Sequence, residues 1–153
     1  MSVIAKVLAP NAFAARLFTP LHSLFALGAR LYVSWAFLKS GYIKVTNWQS
    51  TMYLFENEYQ VPVLSPHVAA VAGSFGELFF PTLLVLGLAS RLGAIGLSFV
   101  NAMAVISYRQ VLLAQGYEAA LGDHVLWGTL GLFLIIYGPG KLSLDYLLNR
   151  PRY

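Results

Sequence analysis

The chain has 153 residues, of which 58% are hydrophobic and 10% are charged, and its mean hydropathy is +0.67. This composition is too apolar for a soluble domain and indicates an integral membrane protein, which we expect to form one domain over residues 1–153. The net charge of +4 does not indicate a nucleic-acid partner, because the basic residues lie beside apolar spans and form no basic run with aromatics.

Cysteine is absent, which excludes disulfides, thiol redox chemistry and thiolate metal ligands from this chain. The three histidines lack the spacing of a metal motif, and no phosphate-binding loop, dinucleotide fingerprint or serine-hydrolase elbow occurs. We therefore expect no metal site and no catalysis by this chain alone. Any redox function requires a bound cofactor or a partner.

The N-terminal part predicts a short interfacial segment over residues 1–18, followed by a first membrane span over about residues 21–45. Thr19-Pro20 provides the cap and the first-turn proline of this span. At about 100° per residue, one stripe of the helix holds five residues, while Lys39 points to the opposite side. The stripe consists of Arg30, Ser34, Phe37, Gly41 and Lys44.

Residues 46–64 form the longest connection, and their aromatic side chains suit either a half-buried helix at the interface or a solvated loop. Ser65-Pro66 then begins a second span over about residues 66–89, which carries Glu77 near its middle. An ionised carboxylate there costs several kcal/mol unless it is paired or protonated. Glu77 therefore requires a partner from another span.

Two further spans complete the predicted bundle. The third covers about residues 92–108 and holds Asn101 near its middle, and residues 109–122 form a loop. Asp123 is the expected cap of a fourth span over about residues 124–137, which Gly138-Pro139-Gly140 ends. The predicted fold is thus an all-α bundle of four transmembrane helices in a bilayer.

The charge distribution predicts that both termini are cytoplasmic. An even number of spans places both termini and the turn at Ser90-Arg91 on one side of the membrane. That side carries most of the basic residues, whereas the other carries most of the acidic ones. The basic residues on the cytoplasmic side are Lys6, Arg16, Arg91, Lys141, Arg150 and Arg152.

Depth counted along the spans places Arg30, Glu77 and Asn101 in one layer, roughly 13–18 Å from the cytoplasmic edge. We therefore expect an Arg30–Glu77 pair, with Asn101 completing its hydrogen bonds. Lys39 and Lys44 lie nearer the outer face, at a depth similar to that of His124. Their charges indicate a polar vestibule at that face. These six residues are the candidate ligand-binding set. The arrangement fits either a structural ion pair or a pocket for a polar head group.

The same residues carry a family resemblance. The ordered motifs resemble the DoxX family of small bacterial and archaeal membrane proteins; they are Ala29-Arg30, Phe37-Leu38, Ser40-Gly41, Lys44, Glu77-Leu78, Leu86-Gly87-Leu88 and Ser90-Arg91, followed by the run from Gly138 to Asp145. The resemblance covers about residues 25–146 and implies a four-helix membrane bundle. The characteristic residues of the family fall, by position, on Arg30, Gly41, Lys44, Glu77, Arg91, Gly138, Pro139, Ser143 and Asp145.

The resemblance also implies a loose redox association, because the family's namesakes are small subunits of a quinone-linked terminal oxidase and thiosulfate:quinone oxidoreductase system. The main hypothesis is therefore an inner-membrane accessory subunit, or a module that binds a small quinone-type ligand, beside a redox protein partner. A homo-oligomer is a further expectation. The alternatives are a small-solute carrier gated by Glu77 and a purely structural membrane partner.

Overall fold

The computed structural model of the chain describes residues 20–149 together with Phe13 and Phe18. Apart from these two phenylalanines, the interfacial segment expected over residues 1–18 lies outside the described residues, as do residues 150–153. The described part contains the following helices: α1 (Leu21–Thr46), α2 (Trp48–Asn57), α3 (Pro66–Leu86), α4 (Ser90–Ser107), α5 (Arg109–Leu112), α6 (Glu118–Tyr137) and α7 (Leu144–Leu148).

Four of these helices, α1, α3, α4 and α6, are long and apolar enough to cross a membrane. The predicted all-α bundle of four transmembrane helices is therefore confirmed. The first three begin and end within three residues of the predicted spans. α3 ends at Leu86 because Gly87 adopts a left-handed conformation, with φ of 68°, and its N–H bonds back to the carbonyls of Leu83 and Leu84.

The predicted start of the fourth span is wrong. α6 begins at Glu118, and Asp123, the expected cap, is an exposed residue inside the helix. Gly122-Asp123 has the pattern of a loop and a cap, but the preceding Glu-Ala-Ala-Leu run is strongly helix-forming. Glu118 also lies in the first turn, where a negative charge is favourable, and its carboxylate accepts the Gly116 N–H at 3.2 and 3.1 Å.

The long helices pack in the order α1, α3, α4, α6, with α6 returning to α1. Small residues line these contacts, as expected where lipid supplies no hydrophobic driving force between helices. At Gly41 of α1, an added Cβ would lie 2.9 Å from Leu78 Cγ and 3.0 Å from Glu77 Cβ of α3. The central core consists of Ala26, Ala29, Val33, Phe37, Leu84, Ala94, Leu97 and Leu134.

The connection over residues 46–64 contains a helix, α2, rather than a wholly solvated loop. Phe55 of α2 is buried against Ala69 and Ala70 of α3 in a second apolar cluster. The Thr51 hydroxyl donates to the Lys44 carbonyl at 2.9 Å, which holds α2 against the end of α1. α2 therefore covers one end of the bundle.

The ends of α1 and α3 are not level. Gly41 lies beside Glu77, yet α1 continues for only five residues beyond Gly41, whereas α3 begins eleven residues before Glu77. The start of α3 thus projects about 9 Å past the end of α1. The second apolar cluster under α2 covers this projecting part.

Candidate functional site

The stripe of α1 that was predicted to run from Arg30 to Lys44 is confirmed. Four of its members are buried and Lys44 is half-buried, whereas Lys39 is exposed on the other side of the helix. The buried members are Arg30, Ser34, Phe37 and Gly41.

Lys44 neutralises Glu77. Its Nζ lies 2.6 Å from Glu77 Oε1 and 2.7 Å from Oε2, and it donates to Ser40 Oγ at 2.8 Å, one turn earlier in α1. The side chains of Lys44 and Glu77 are only 12% and 9% exposed. A carboxylate so far inside an apolar bundle requires a countercharge. Lys44 is therefore the partner that the sequence requires for Glu77.

The predicted Arg30–Glu77 pair is wrong. The Arg30 guanidinium donates from Nε to the Leu84 carbonyl at 2.6 Å and from Nη2 to the Val85 carbonyl at 3.0 Å. These carbonyls belong to the last turn of α3, where backbone acceptors lack helical partners and a positive charge is favourable. Nη1 donates to the segment after α6, at Pro139 O (3.2 Å) and Leu142 O (2.8 Å).

The unequal helix ends explain this error. Depth was counted from the inner ends of the spans as if these ends were level, but from the shared level of Gly41 and Glu77, α1 runs back 20 residues to Leu21, whereas α3 continues for only nine residues to Leu86. Arg30 lies eleven residues along α1 from Gly41, or about 16 Å, so it reaches the end of α3 and not Glu77.

Asn101 also lies outside the predicted layer, because it pairs with His124 of α6. Its Nδ2 donates to the His124 carbonyl at 3.0 Å, and its Oδ1 lies 2.7 Å from His124 Nδ1. The His124 ring packs edge to face on Trp127 at 4.9 Å, and Trp127 packs on Phe37 of α1 at 5.2 Å. These contacts fix the imidazole between α4, α6 and α1.

A cavity of about 350 Å³ lies among the four long helices at the end that α2 covers. Lys44, Glu77 and His124 line it together with a largely apolar wall. The wall includes Phe37 of α1, Ala72 and Gly73 of α3, Val100, Met103 and Ala104 of α4, and Trp127 of α6. The cavity thus combines an apolar volume with one ion pair and one imidazole.

The end of α2 and its connection to α3 form a roof over the cavity, to which Phe55, Tyr59, Val61 and Leu64 contribute. Three hydrogen bonds fix this roof to the end of α4 and to α5. The Gln60 N–H donates to the Ser107 carbonyl at 2.8 Å, the Tyr108 hydroxyl to Glu58 Oε2 at 3.1 Å, and Gln110 Nε2 to the Glu58 carbonyl at 2.6 Å.

The aromatic residues of the roof are in contact with one another. Tyr59 packs edge to face on Phe55 at 4.8 Å and on Tyr108 at 5.0 Å. Burial, reinforced by the negative charge of Glu77, raises the pKa of Tyr59 to about 12. Burial and the hydrogen bond to Glu58 also raise the pKa of Tyr108. Both phenols therefore remain protonated at neutral pH.

The structure places the six candidate ligand-binding residues at four different locations. Lys44, Glu77 and His124 line the cavity, and Asn101 stands behind His124. Lys39 is exposed outside the cavity, and Arg30 lies at the opposite end of the bundle. Sequence analysis missed Ser40, Tyr59 and Trp127 as lining residues, although the spacing of Ser40 and Lys44, one turn apart, was a usable signal for the first.

The C-terminal segment forms a second polar cluster around Arg30. Asp145 accepts the N–H groups of Ala89 and Ser90 at 2.7 and 2.8 Å, and so caps the start of α4. Partial burial opposes ionisation of this carboxyl group, but the Ser90 and Ala89 N–H groups and the Arg30 charge lower its pKa below the usual value. This cluster joins α1, α3, α4 and the chain after α6.

Over the described residues, no group of three His, Asp or Glu side chains is placed to hold a metal ion. The polar groups of the cavity are suited instead to hydrogen bonding with an organic ligand. An ion pair, an imidazole and a phenol face an apolar volume, which can take a ring with a few polar substituents.

Comparison with known proteins identifies the family. The DoxX family model matches residues 25–110. A protein of Haemophilus influenzae, named only as an uncharacterized protein, is 30% identical over 130 residues, which cover 79% of this chain and 81% of the relative. No solved structure matches. The extent of the family match and the four apolar helices together show that the chain belongs to the DoxX family.

Proposed function

We propose that this protein is a module of the inner (plasma) membrane that binds a quinone-type ring in the cavity under α2. The observation that carries the proposal is the Lys44–Glu77 pair, which lines a largely apolar cavity of about 350 Å³. Pockets for small ligands have volumes of roughly 300–1,000 Å³ and combine apolar walls with a few polar groups. A quinone has the complementary composition, with an apolar ring and two polar oxygens.

The aromatic residues of the lining support the same ligand class. Phe37, Phe55, Tyr59 and Trp127 come from different parts of the chain and all line the cavity. Aromatic side chains prefer stacked or edge-to-face contact with a planar ring, and they cover it without using hydrogen bonds. The polar substituents of the ring are then left for the few polar groups of the lining.

A redox role would require a bound cofactor or a partner, because the chain has no cysteine. The protein would then act as an accessory subunit that holds the ring near a membrane redox protein, either as a monomer or as a homo-oligomer. The alternative of a carrier for a small polar solute has less support, since the cavity wall is largely apolar and Lys44 contacts both oxygens of Glu77.

A binding measurement tests the proposal. We expect lipid extracts of the purified protein to contain a quinone by mass spectrometry, and decylubiquinone to bind the protein in nanodiscs. Ala104→Phe should fill the cavity and weaken this binding at least tenfold, because Ala104 lines it. Ala102→Phe is the matched control, since Ala102 is exposed on the same helix.

Other outcomes would favour the alternatives. The proposed function would be contradicted if neither decylubiquinone nor its reduced form, decylubiquinol, bound to the protein. In that case, pH-dependent solute flux in proteoliposomes would support a carrier gated by Glu77. A stoichiometric protein partner without flux or bound quinone would support a structural role.

A further inference from the structure

The Lys44–Glu77 pair offers a ligand hydrogen-bond acceptors rather than donors. An ammonium group has three N–H donors, and those of Lys44 have three acceptors within reach. These acceptors are Ser40 Oγ at 2.8 Å, Glu77 Oε1 at 2.6 Å and Glu77 Oε2 at 2.7 Å. The Glu77 carboxylate retains further lone pairs, since its two oxygens can accept about four hydrogen bonds.

Asn101 determines which nitrogen of His124 is free. Asn101 Nδ2 donates to the His124 carbonyl at 3.0 Å, so the opposite atom of the amide, Oδ1, must be the one that faces His124 Nδ1 at 2.7 Å. An amide flipped the other way would place two carbonyl oxygens against each other. Because Oδ1 only accepts, Nδ1 must carry the proton, and Nε2 of the neutral imidazole is then an acceptor. Among the described residues, the hydrogen bonds of His124 to other side chains use its carbonyl and Nδ1, and none uses Nε2.

The remaining polar groups of the lining are compatible with a hydroxyl group. Tyr59 also lines the cavity, and its phenol remains protonated. A hydroxyl donates one hydrogen bond and also accepts, so it can satisfy both kinds of group. A carbonyl oxygen only accepts, and would leave Glu77 and His124 without a donor from the ligand.

From this polarity we infer that the cavity prefers the reduced, hydroxyl-bearing form of its ring ligand over the oxidised, carbonyl-bearing form. The inference rests on the proposed function, which concerns the ring and not its redox state. Glu77 and His124 are the acceptors, and Asn101 is a positioning residue that acts through His124. A hydrogen bond to a charged acceptor supports a preference of at least tenfold. For a two-electron couple, tenfold tighter binding of the reduced form raises the reduction potential of the bound ligand by about 30 mV.

Three probes separate hydrogen-bond donation from shape. We would measure the dissociation constants of decylubiquinone, decylubiquinol and the dimethyl ether of the quinol by anaerobic calorimetry in nanodiscs. The expected result is that the quinol binds at least tenfold more tightly than either other probe, because the ether keeps the ring and lacks the donors. Equal affinities for quinol and quinone would overturn the inference and leave the proposed function standing. Failure of all three to bind would overturn both.

Variants of the ion pair test the same point. Glu77→Gln removes the carboxylate and frees donors on Lys44, so the preference for the quinol should fall to less than threefold. Lys44→Met/Glu77→Gln removes both charges and is the version to use if the single variant does not fold. Lys39→Met/Glu56→Gln is the matched control, because both residues are exposed outside the cavity, and it should keep the tenfold preference. An unchanged preference in the ion-pair variants would overturn the assignment of Glu77 as an acceptor.

A variant of Asn101 tests the tautomer. Asn101→Leu removes the acceptor that holds the proton on Nδ1, so Nε2 should become protonated in part of the molecules. We expect the preference for the quinol to decrease at least threefold, whereas a purely structural role would weaken all three probes equally. An equal loss for the three probes would contradict the positioning role of Asn101.

Discussion

At the scale of single residues, the two buried cations of α1 solve different problems. Lys44 neutralises a side chain, whereas Arg30 pairs with backbone carbonyls at the end of α3. The flat guanidinium has five N–H donors, which suits it to acceptors that lie in several directions, and the compact ammonium suits a single carboxylate. The distribution of lysine and arginine along the stripe therefore follows the number and placement of the acceptors.

The Lys44–Glu77 pair should show strong coupling in a double-mutant cycle. Lys44→Met alone leaves the Glu77 carboxylate unpaired inside the bundle and should lower the free energy of unfolding by about 3 kcal/mol. Adding Glu77→Gln should restore most of the lost free energy of unfolding. Thermal or denaturant unfolding in detergent measures the effect, with Lys39→Met as the control because Lys39 is exposed. Additive losses for Lys44 and Glu77 would contradict the pair.

Arg30 and Glu77 should instead behave independently. They lie at different levels of the bundle and share no hydrogen-bond partner among the described residues. The losses of stability for Arg30→Ala and Glu77→Ala should add within about 0.5 kcal/mol in the double variant. A coupling above about 1 kcal/mol, measured by the same unfolding assay, would mean that the two side chains interact.

At the scale of elements, the short C-terminal helix α7 is tied to the start of α4 through Asp145. The backbone adds a further contact, since the Asp145 N–H donates to the Gly87 carbonyl at 2.8 Å. Gly87 adopts φ of 68° and contacts Ser143, so the turn between α3 and α4 and the chain before α7 fit together closely. The segment after α6 is thus part of the bundle.

Asp145→Asn should destabilise the protein by about 1 kcal/mol at neutral pH, because it weakens the cap on α4. The pKa of Asp145 is lowered by folding, so its ionised form stabilises the native state at pH values above the usual carboxyl pKa near 4. This stabilisation is lost as the pH falls through the lower pKa of the folded state. Unfolding measured against pH should show the two proteins converging below about pH 4. A constant difference down to about pH 2 would show that the charge is not responsible.

The roof of the cavity contains a strained residue. Val63 has φ of 71°, which is unfavourable for a β-branched side chain, and it is fully exposed, so no packing compensates for the strain. Val63→Asn should stabilise the protein by about 1 kcal/mol, since asparagine tolerates this conformation. Val45→Asn is the control at an exposed helical position and should give no gain. Equal effects of the two changes in thermal unfolding would argue against strain.

The elements themselves were largely predictable from the sequence. Apolar length and the Ser65-Pro66 signal located the spans, and the 3.6-residue period placed Lys44 on the buried stripe and Lys39 outside it. The partner of Glu77 was not predictable, because it depends on how far α3 projects past α1. α2 covers the projecting turns of α3, and this packing could not be predicted from the sequence of residues 46–64.

At the scale of the whole molecule, the two ends of the bundle differ in character. One end holds the cavity and its roof, and the other holds Arg30 and the C-terminal segment. Between them lies the core of small and apolar side chains around Val33 and Leu97. The cavity and the polar cluster that joins the helices therefore lie at opposite ends of the bundle.

The orientation of these two ends in the membrane can be tested with single cysteines, because the chain has none of its own. We propose that both termini are cytoplasmic, because the terminal segments and the Ser90-Arg91 turn carry most of the basic residues of the sequence, and that the cavity opens to the outside. In spheroplasts, a membrane-impermeant maleimide should label Val63→Cys, whereas Asn149→Cys should react only after the membrane is permeabilised. Both positions are exposed, so burial does not limit the reaction. The reverse labelling pattern would place the cavity on the cytoplasmic side and contradict this orientation.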